Sequence, residues 1–146
     1  MKKPKLHRQE TSYSCMVACL NMVLDFYGIE EDESSLRKKS KTKFYGTHPI
    51  NIVECAKSFG FEAYVNSFDF NKLQVLLRQN LPVITNIIKH DGDEFYIHSV
   101  VVYRIERNSI YLLDPEDGEI KTSCKKFETL WGQNDYIGIV ISKKDK

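Results

Sequence analysis

From Cys15 to Tyr27 the run CMVACLNMVLDFY puts apolar residues on every side of a helical wheel, interrupted only by Asn21 and Asp25, one turn apart. A helix that is apolar nearly all round has no face to offer water, so it runs through the middle of a domain with other elements packed about it. Gly28 follows as a natural stop, because glycine adopts the left-handed conformation that ends many helices. A chain of 146 residues can build one core around such a helix and is short for two. A single domain over residues 1–146 is the expectation.

The remaining pattern divides the chain. Ser34 or Ser35 opens a short charged helix reaching about Lys39. HPINIVECAKSFG reads as an amphipathic helix with Pro49 in its first turn and Gly60 at its end. A fourth helix, from about Asn71 to Gln79, sets Leu73, Leu76 and Leu77 on one face. Beyond Pro82 the period changes to that of strands: PVITNIIK, YIHSVVVYRIE, SIYLLD, GEIKTS after a turn at Asp117-Gly118, and DYIGIVIS. Helices gathered in one half and antiparallel strands in the other give an α+β layout, a helical N-terminal half packed on a C-terminal sheet. The KKDK tail is expected to fray.

Composition narrows function mainly by exclusion. Lys and Arg total 21 against 20 Asp and Glu, a net charge of +1 that is too balanced for a broad nucleic-acid-binding surface. No apolar segment reaches the length of a membrane span, and the basic start MKKPKLHRQE is not followed by the apolar stretch of a signal peptide. A cytoplasmic protein, or one exported piece of something larger, without direct membrane insertion is the expectation. Cys15, Cys19, Cys55 and Cys124 are read as reduced thiols, since a chain of this size stabilises itself by core burial. No CxxC pair or matched Cys/His spacing points to a metal, and no cofactor is expected. His7, His48 and His90 read as surface or turn residues, HDGDEF as a hairpin turn and RKKSKTK as a solvated face. Trp131, Phe44, Tyr45, Tyr96 and Tyr136 read as core or rim, with one or two free to line a cleft.

Chemistry enters where the buried helix begins. Ser14 is placed to cap it, which sets Cys15 in a first turn where unpaired N–H groups and the positive end of the macrodipole favour thiolate over thiol. Taken alone, Cys15 reads first as a core thiol that happens to start a helix. Far downstream, His98 stands in an otherwise apolar strand, sharing a face with Val100 and Val102, and Asp114 ends the next strand. A hairpin between these strands brings the Asp114 carboxylate beside the ring. A cysteine nucleophile needs such a base held by such a carboxylate. Gln9, shortly before Cys15, has an amide able to point at the oxyanion of a tetrahedral intermediate.

The order Gln9, then Cys15 with ACLNMVLDFYG, then IHSVVV and YLLDPEDG resembles the peptidase C39 domain, a papain-like cysteine protease, over nearly the whole chain. Its best-known members are the N-terminal domains of bacterial peptide-exporting ABC transporters, which cut leader peptides after a double glycine. The resemblance implies a papain-like fold with Cys15 as nucleophile, His98 as general base and acid, Asp114 as the orienting group and Gln9 as the oxyanion donor. It further implies a leader-peptide substrate and an ABC-type exporter as partner. One departure stands out: the family usually reads Asp-Cys-Gly where this chain reads Ser14-Cys15-Met16, so a bulky side chain follows the nucleophile. Two other readings stay open at this level. One is a silent module that binds a leader or partner peptide, and the other an acyl or peptidyl transferase with the same triad.

Overall fold

The computed structural model of the chain describes residues 2–144. Helix α1 (Cys15–Phe26) is central, as its apolar circumference requires: every residue in it except Cys15 and Asp25 is buried. Around it the chain lays α2 (Glu33–Lys39), α3 (Pro49–Ser58), β1 (Phe61–Ser67), α4 (Phe70–Arg78), β2 (Val83–Asp91), β3 (Glu94–Glu106), β4 (Ser109–Asp114), β5 (Gly118–Ser123), α5 (Cys124–Gly132) and β6 (Ile137–Lys143). The strands form one sheet in the order β1-β6-β2-β3-β4-β5, antiparallel at each pairing.

Strand alternation splits the apolar side chains between two layers. Ile84, Val101, Leu113, Ile139 and Ile141 pack with α1, α2 and α3. Val83, Val100, Val102, Leu112 and Val140 face the other way, against Leu73, Leu76 and Leu77 of α4 and Phe127 and Trp131 of α5. The expected α+β architecture is present, with a second helical layer closing the far face of the sheet.

Local differences from the expectation have simple causes. The charged helix α2 is opened by Asp32, whose carboxylate accepts from Ser35 N at 2.7 Å, and not by Ser34 or Ser35. An aspartate answers the free N–H groups of a first turn at least as well as serine. Both β1 and α5 were unexpected. β1 pairs with the last strand, β6, from Phe61↔Lys143 to Ser67↔Ile137, so the ends of the sequence-distant halves meet at one sheet edge. HDGDEF is the expected β2–β3 turn, with Gly92 at φ +64° between Asp91 and Glu94. His48 has a more specific task than a surface residue, since its Nδ1 accepts from Ile50 N and caps α3. Asp145 and Lys146 of the KKDK tail lie outside the described residues. Among the described residues no helix is long and apolar enough to cross a membrane.

Candidate active site

The site forms where β3 outruns its neighbour. β4 pairs with β3 only as far as Val101↔Leu113, and Asp114 is its last residue, so the 94–99 stretch of β3 keeps β2 as its partner on one side. Into that gap come the Asp114 side chain from the end of β4 and the N-terminus of α1. His98 and Asp114 are each only 1% exposed, and His98 Nε2 lies 2.6 Å from Asp114 Oδ1. The Cys15 thiol stands close enough to the same ring for His98 to act on it, and Nδ1 is the ring nitrogen that Asp114 leaves free. Sequence positions 15, 98 and 114 thus converge on one imidazole.

The electrostatics follow from that arrangement. Burial pulls the His98 pKa down, but the hydrogen bond and charge of Asp114, with those of Cys15, outweigh it and hold it at about 9. Burial pushes the Cys15 thiol up, yet the hydrogen bond and charge of His98, joined by the backbone and hydroxyl of Ser99, bring it net below its ordinary value. Burial likewise works against the Asp114 carboxylate, and His98, the Glu116 N–H and Lys89 together hold it far below the usual range. The arrangement therefore favours moving the thiol proton toward His98, whose imidazolium form is sustained by donating Nε2–H to Asp114. One turn further along α1, the fully buried Cys19 is pushed up by desolvation, consistent with a packing role.

Ser14 departs from its expected part. It stands at the N-cap position, but its Oγ accepts from Thr11 N at 3.1 Å and donates to Thr11 O at 3.2 Å, so it closes a turn rather than capping α1. Without a side-chain cap, the first-turn N–H groups of α1 stay available to a negative charge at Cys15. Gln9 lies close to the same turn. Its backbone N–H donates to Pro115 O at 3.0 Å, tying the N-terminal arm beside Asp114, while its side-chain Nε2 donates to Thr11 O at 2.8 Å. Its buried Oε1 has no partner among the described residues. Met16, which follows Cys15, is 6% exposed and sits in the α1 core layer while touching the wall of the groove.

That groove, about 650 Å³, opens onto Cys15 between Tyr13, Met16, Tyr96, Ile97, Asn86 and Ser99 on one side and the 44–49 segment on the other. Phe44 and Tyr45, 84% and 76% exposed, stand on a tight turn closed by the Lys43–Gly46 bridge. Tyr96 crosses edge-on to the His98 ring, centroids 5.9 Å apart. Several neighbours escaped the sequence reading. Ser99 donates to Asn86 Oδ1 at 2.7 Å behind Cys15, and Lys89 reaches Asp114 Oδ2 at 3.0 Å. Their signal was present as polar residues inside or ending the apolar strands TNIIK and HSVVV, but only the register, Asn86↔Ser99 and Ile87↔His98, sets Asn86 and Ser99 beside the cysteine and Lys89 within reach of Asp114.

The chain spans about a fifth of the length of the curated relatives it matches. It is 30% identical over 145 residues to the lactococcin-G-processing and transport ATP-binding protein LagD of Lactococcus lactis subsp. lactis, covering 97% of this chain and 19% of that one. It is 32% identical over 131 residues to the pediocin PA-1 transport/processing ATP-binding protein PedD of Pediococcus acidilactici, covering 88% and 17%. Among solved structures, the peptidase domain of Streptococcus ComA, a bi-functional ABC transporter involved in a quorum sensing pathway, superposes with a TM-score of 0.80 at 28% identity, over 97% of this chain and all of that one. A double glycine motif protease from an AMS/PCAT transporter, solved with its leader peptide, shares the fold with the same TM-score at 21% identity, covering 97% and 93%. The model of the peptidase C39 family matches residues 3–145. With a cysteine at a groove and a buried histidine–aspartate pair behind it, this chain belongs to the peptidase C39 family.

Proposed function

We propose that the chain is a cysteine endopeptidase that cleaves peptides after small residues, of the double-glycine leader type, through Cys15, His98 and Asp114. The observation that carries this reading is the 2.6 Å His98–Asp114 contact with the Cys15 thiol on the same ring at the groove. The Cys15 thiolate attacks the scissile carbonyl carbon, and its electrons move onto the carbonyl oxygen. The backbone N–H of Cys15 and the second N–H of the Gln9 amide, beyond the one given to Thr11, are assigned to that oxyanion. His98 delivers its proton to the leaving amine as the C–N bond breaks, leaving a thioester on Cys15. Neutral His98 then takes a proton from water, whose oxygen attacks the thioester carbonyl, and the acid product leaves as the thiolate–imidazolium pair is restored.

The substrate class is supported by what the relatives are named for, processing and transport of lactococcin G and pediocin PA-1, and by the double glycine motif protease that shares the fold. Tyr13, Met16 and Tyr96 around Cys15 favour residues without large side chains at the scissile bond by steric exclusion. An ABC-type peptide exporter as partner and a location at the cytoplasmic face of the membrane belong to the same reading. The test is incubation with peptides whose leader ends in Gly-Gly, with mass-spectrometric mapping of the cut. Wild type is expected to cleave after the second glycine and Cys15→Ala not at all. Cleavage that persists in Cys15→Ala, or none in wild type, removes the peptidase reading.

A further inference from the structure

We propose that Lys89 is a positioning residue of this site, whose ammonium grips one oxygen of the Asp114 carboxylate so that the other stays on the His98 ring. The inference rests on the triad reading above, and its test needs no peptidase activity. The two carboxylate oxygens of Asp114 are held unequally. Oδ1 accepts from His98 Nε2 at 2.6 Å, from Glu116 N at 2.8 Å and from Asp117 N at 3.2 Å. Oδ2 has one partner among the described residues, Lys89 Nζ at 3.0 Å. Asp114 is buried, so an Oδ2 left without that donor is driven to turn toward water, and a turn of the carboxylate carries Oδ1 off the ring.

The lysine is itself fixed from the other side. Its Nζ lies 2.8 Å from Glu116 Oε1 and 2.5 Å from Asp117 Oδ2, and Tyr96 Oη donates to Glu116 Oε1 at 2.7 Å. Lys89 therefore bridges the acidic turn after β4 to β2 and, through Glu116, to the tyrosine beside the His98 ring. It also offsets the repulsion that Glu116 and Asp117 would exert on Asp114. The charged and titratable groups around Asp114, besides Lys89, are His98 and Tyr96 from β3, Cys15 and Cys19 from α1, Glu116 and Asp117 from the turn, Lys126 from α5 and His90 from β2, which line a separate pocket with Asp114, and Arg8, whose Nη1 donates to Glu116 O.

Position and charge predict opposite signs, which makes the inference testable. Titrating His98 by NMR in the Cys15→Ala chain removes the thiolate and leaves Asp114 as the group that sustains the imidazolium. With Lys89 present the midpoint should lie above the ordinary 6.5. In Cys15→Ala with Lys89→Met it should fall to 6.5 or lower, because a buried imidazole without its carboxylate is pushed down. Lys89→Arg, which can still reach the carboxylate with a charged donor, should restore most of it. If Lys89 acted only as a charge, removing it would leave the midpoint in place or raise it, and either result overturns the proposal. Lys89→Leu, which also has no donor for the carboxylate, replaces Lys89→Met if the latter does not fold, with the same decision. In the chain with Cys15, Lys89→Met should lower kcat for a cleaved leader peptide about tenfold or more with KM little changed; a change confined to KM also overturns the positioning role.

Discussion

Cys15 is one of two α1 residues that are not buried, and it is placed where a helix start, an imidazole and Ser99 act on one sulfur. The thiol is lowered and His98 raised to about 9, so the reactive pair exists over a window whose alkaline edge is the loss of the imidazolium proton. A group whose folded pKa is raised keeps its proton below that value and loses it above, so kcat/KM should fall as pH rises through about 9. Asp114→Asn keeps the shape of the acceptor but removes its charge. That edge should then move down toward 6.5, with kcat lower by about a hundredfold to ten-thousandfold. An unchanged alkaline edge in Asp114→Asn would deny Asp114 its orienting role. Gln9→Ala should cost about a hundredfold in kcat with little change in KM if its amide serves the oxyanion. The titration of His98 should be untouched by that change, since Gln9 touches Thr11 and the Pro115 carbonyl and not the ring. Equal losses in kcat and in His98 titration would instead mark Gln9 as a support for the 114–117 turn.

Elements with many apolar residues in a clear period were legible, and those resting on a single pair were not. α1 was readable because its whole circumference is apolar, and β3 because Val100, Val101 and Val102 alternate between the two layers. α5 has only Phe127 and Trp131, i and i+4, with a Ser123 cap that accepts from Lys126 N at 3.0 Å, and charged neighbours concealed it. β1 alternates Phe61 and Ala63 inward, but among the described residues its one strand partner is β6, far along the sequence, a pairing no local pattern contains. Cys15, His98 and Asp114 were readable as residue types, whereas Asn86 and Ser99 needed the register to become neighbours of Cys15, and Lys89 needed the fold to reach Asp114. The β1–β6 edge carries its own prediction. A Cβ at Gly138 would meet the Phe68 ring at 2.6 Å, and Phe68 is buried among the α4 leucines and Val83, with no open side to swing into. Gly138→Ala should therefore destabilise the fold by about 1–3 kcal/mol in urea titrations, as overpacking of a filled core does. A stability equal to wild type would show that α4 and β6 slide apart without cost.

At the scale of the whole molecule, the sheet joins both helical layers and the site. β6 lies between β1 and β2, so the end of the chain holds β1 to the rest, while Cys15, His98 and Asp114 come from α1, β3 and β4. The two layers share the same strands, with Val101 facing one and its neighbours Val100 and Val102 the other. Loss of either layer exposes a sheet face that the other layer cannot cover, so the chain is expected to unfold as one cooperative domain. Native probes stand on opposite sides of the sheet. The single tryptophan, Trp131, is fully buried in the α4–α5 layer, and its Nε1–H donates to Ile137 O at 2.9 Å. Cys19 and Cys55 are buried in the α1–α3 layer, whereas Cys15 and Cys124 are partly exposed. In a urea titration, Trp131 fluorescence reports one layer, and pulse alkylation of Cys19 and Cys55, counted by mass spectrometry, reports the other. The two midpoints should coincide, with one slope. If the thiols of the α1–α3 layer become reactive well before Trp131 is exposed, the layers unfold separately, and the single-domain reading fails with the sheet as its seam.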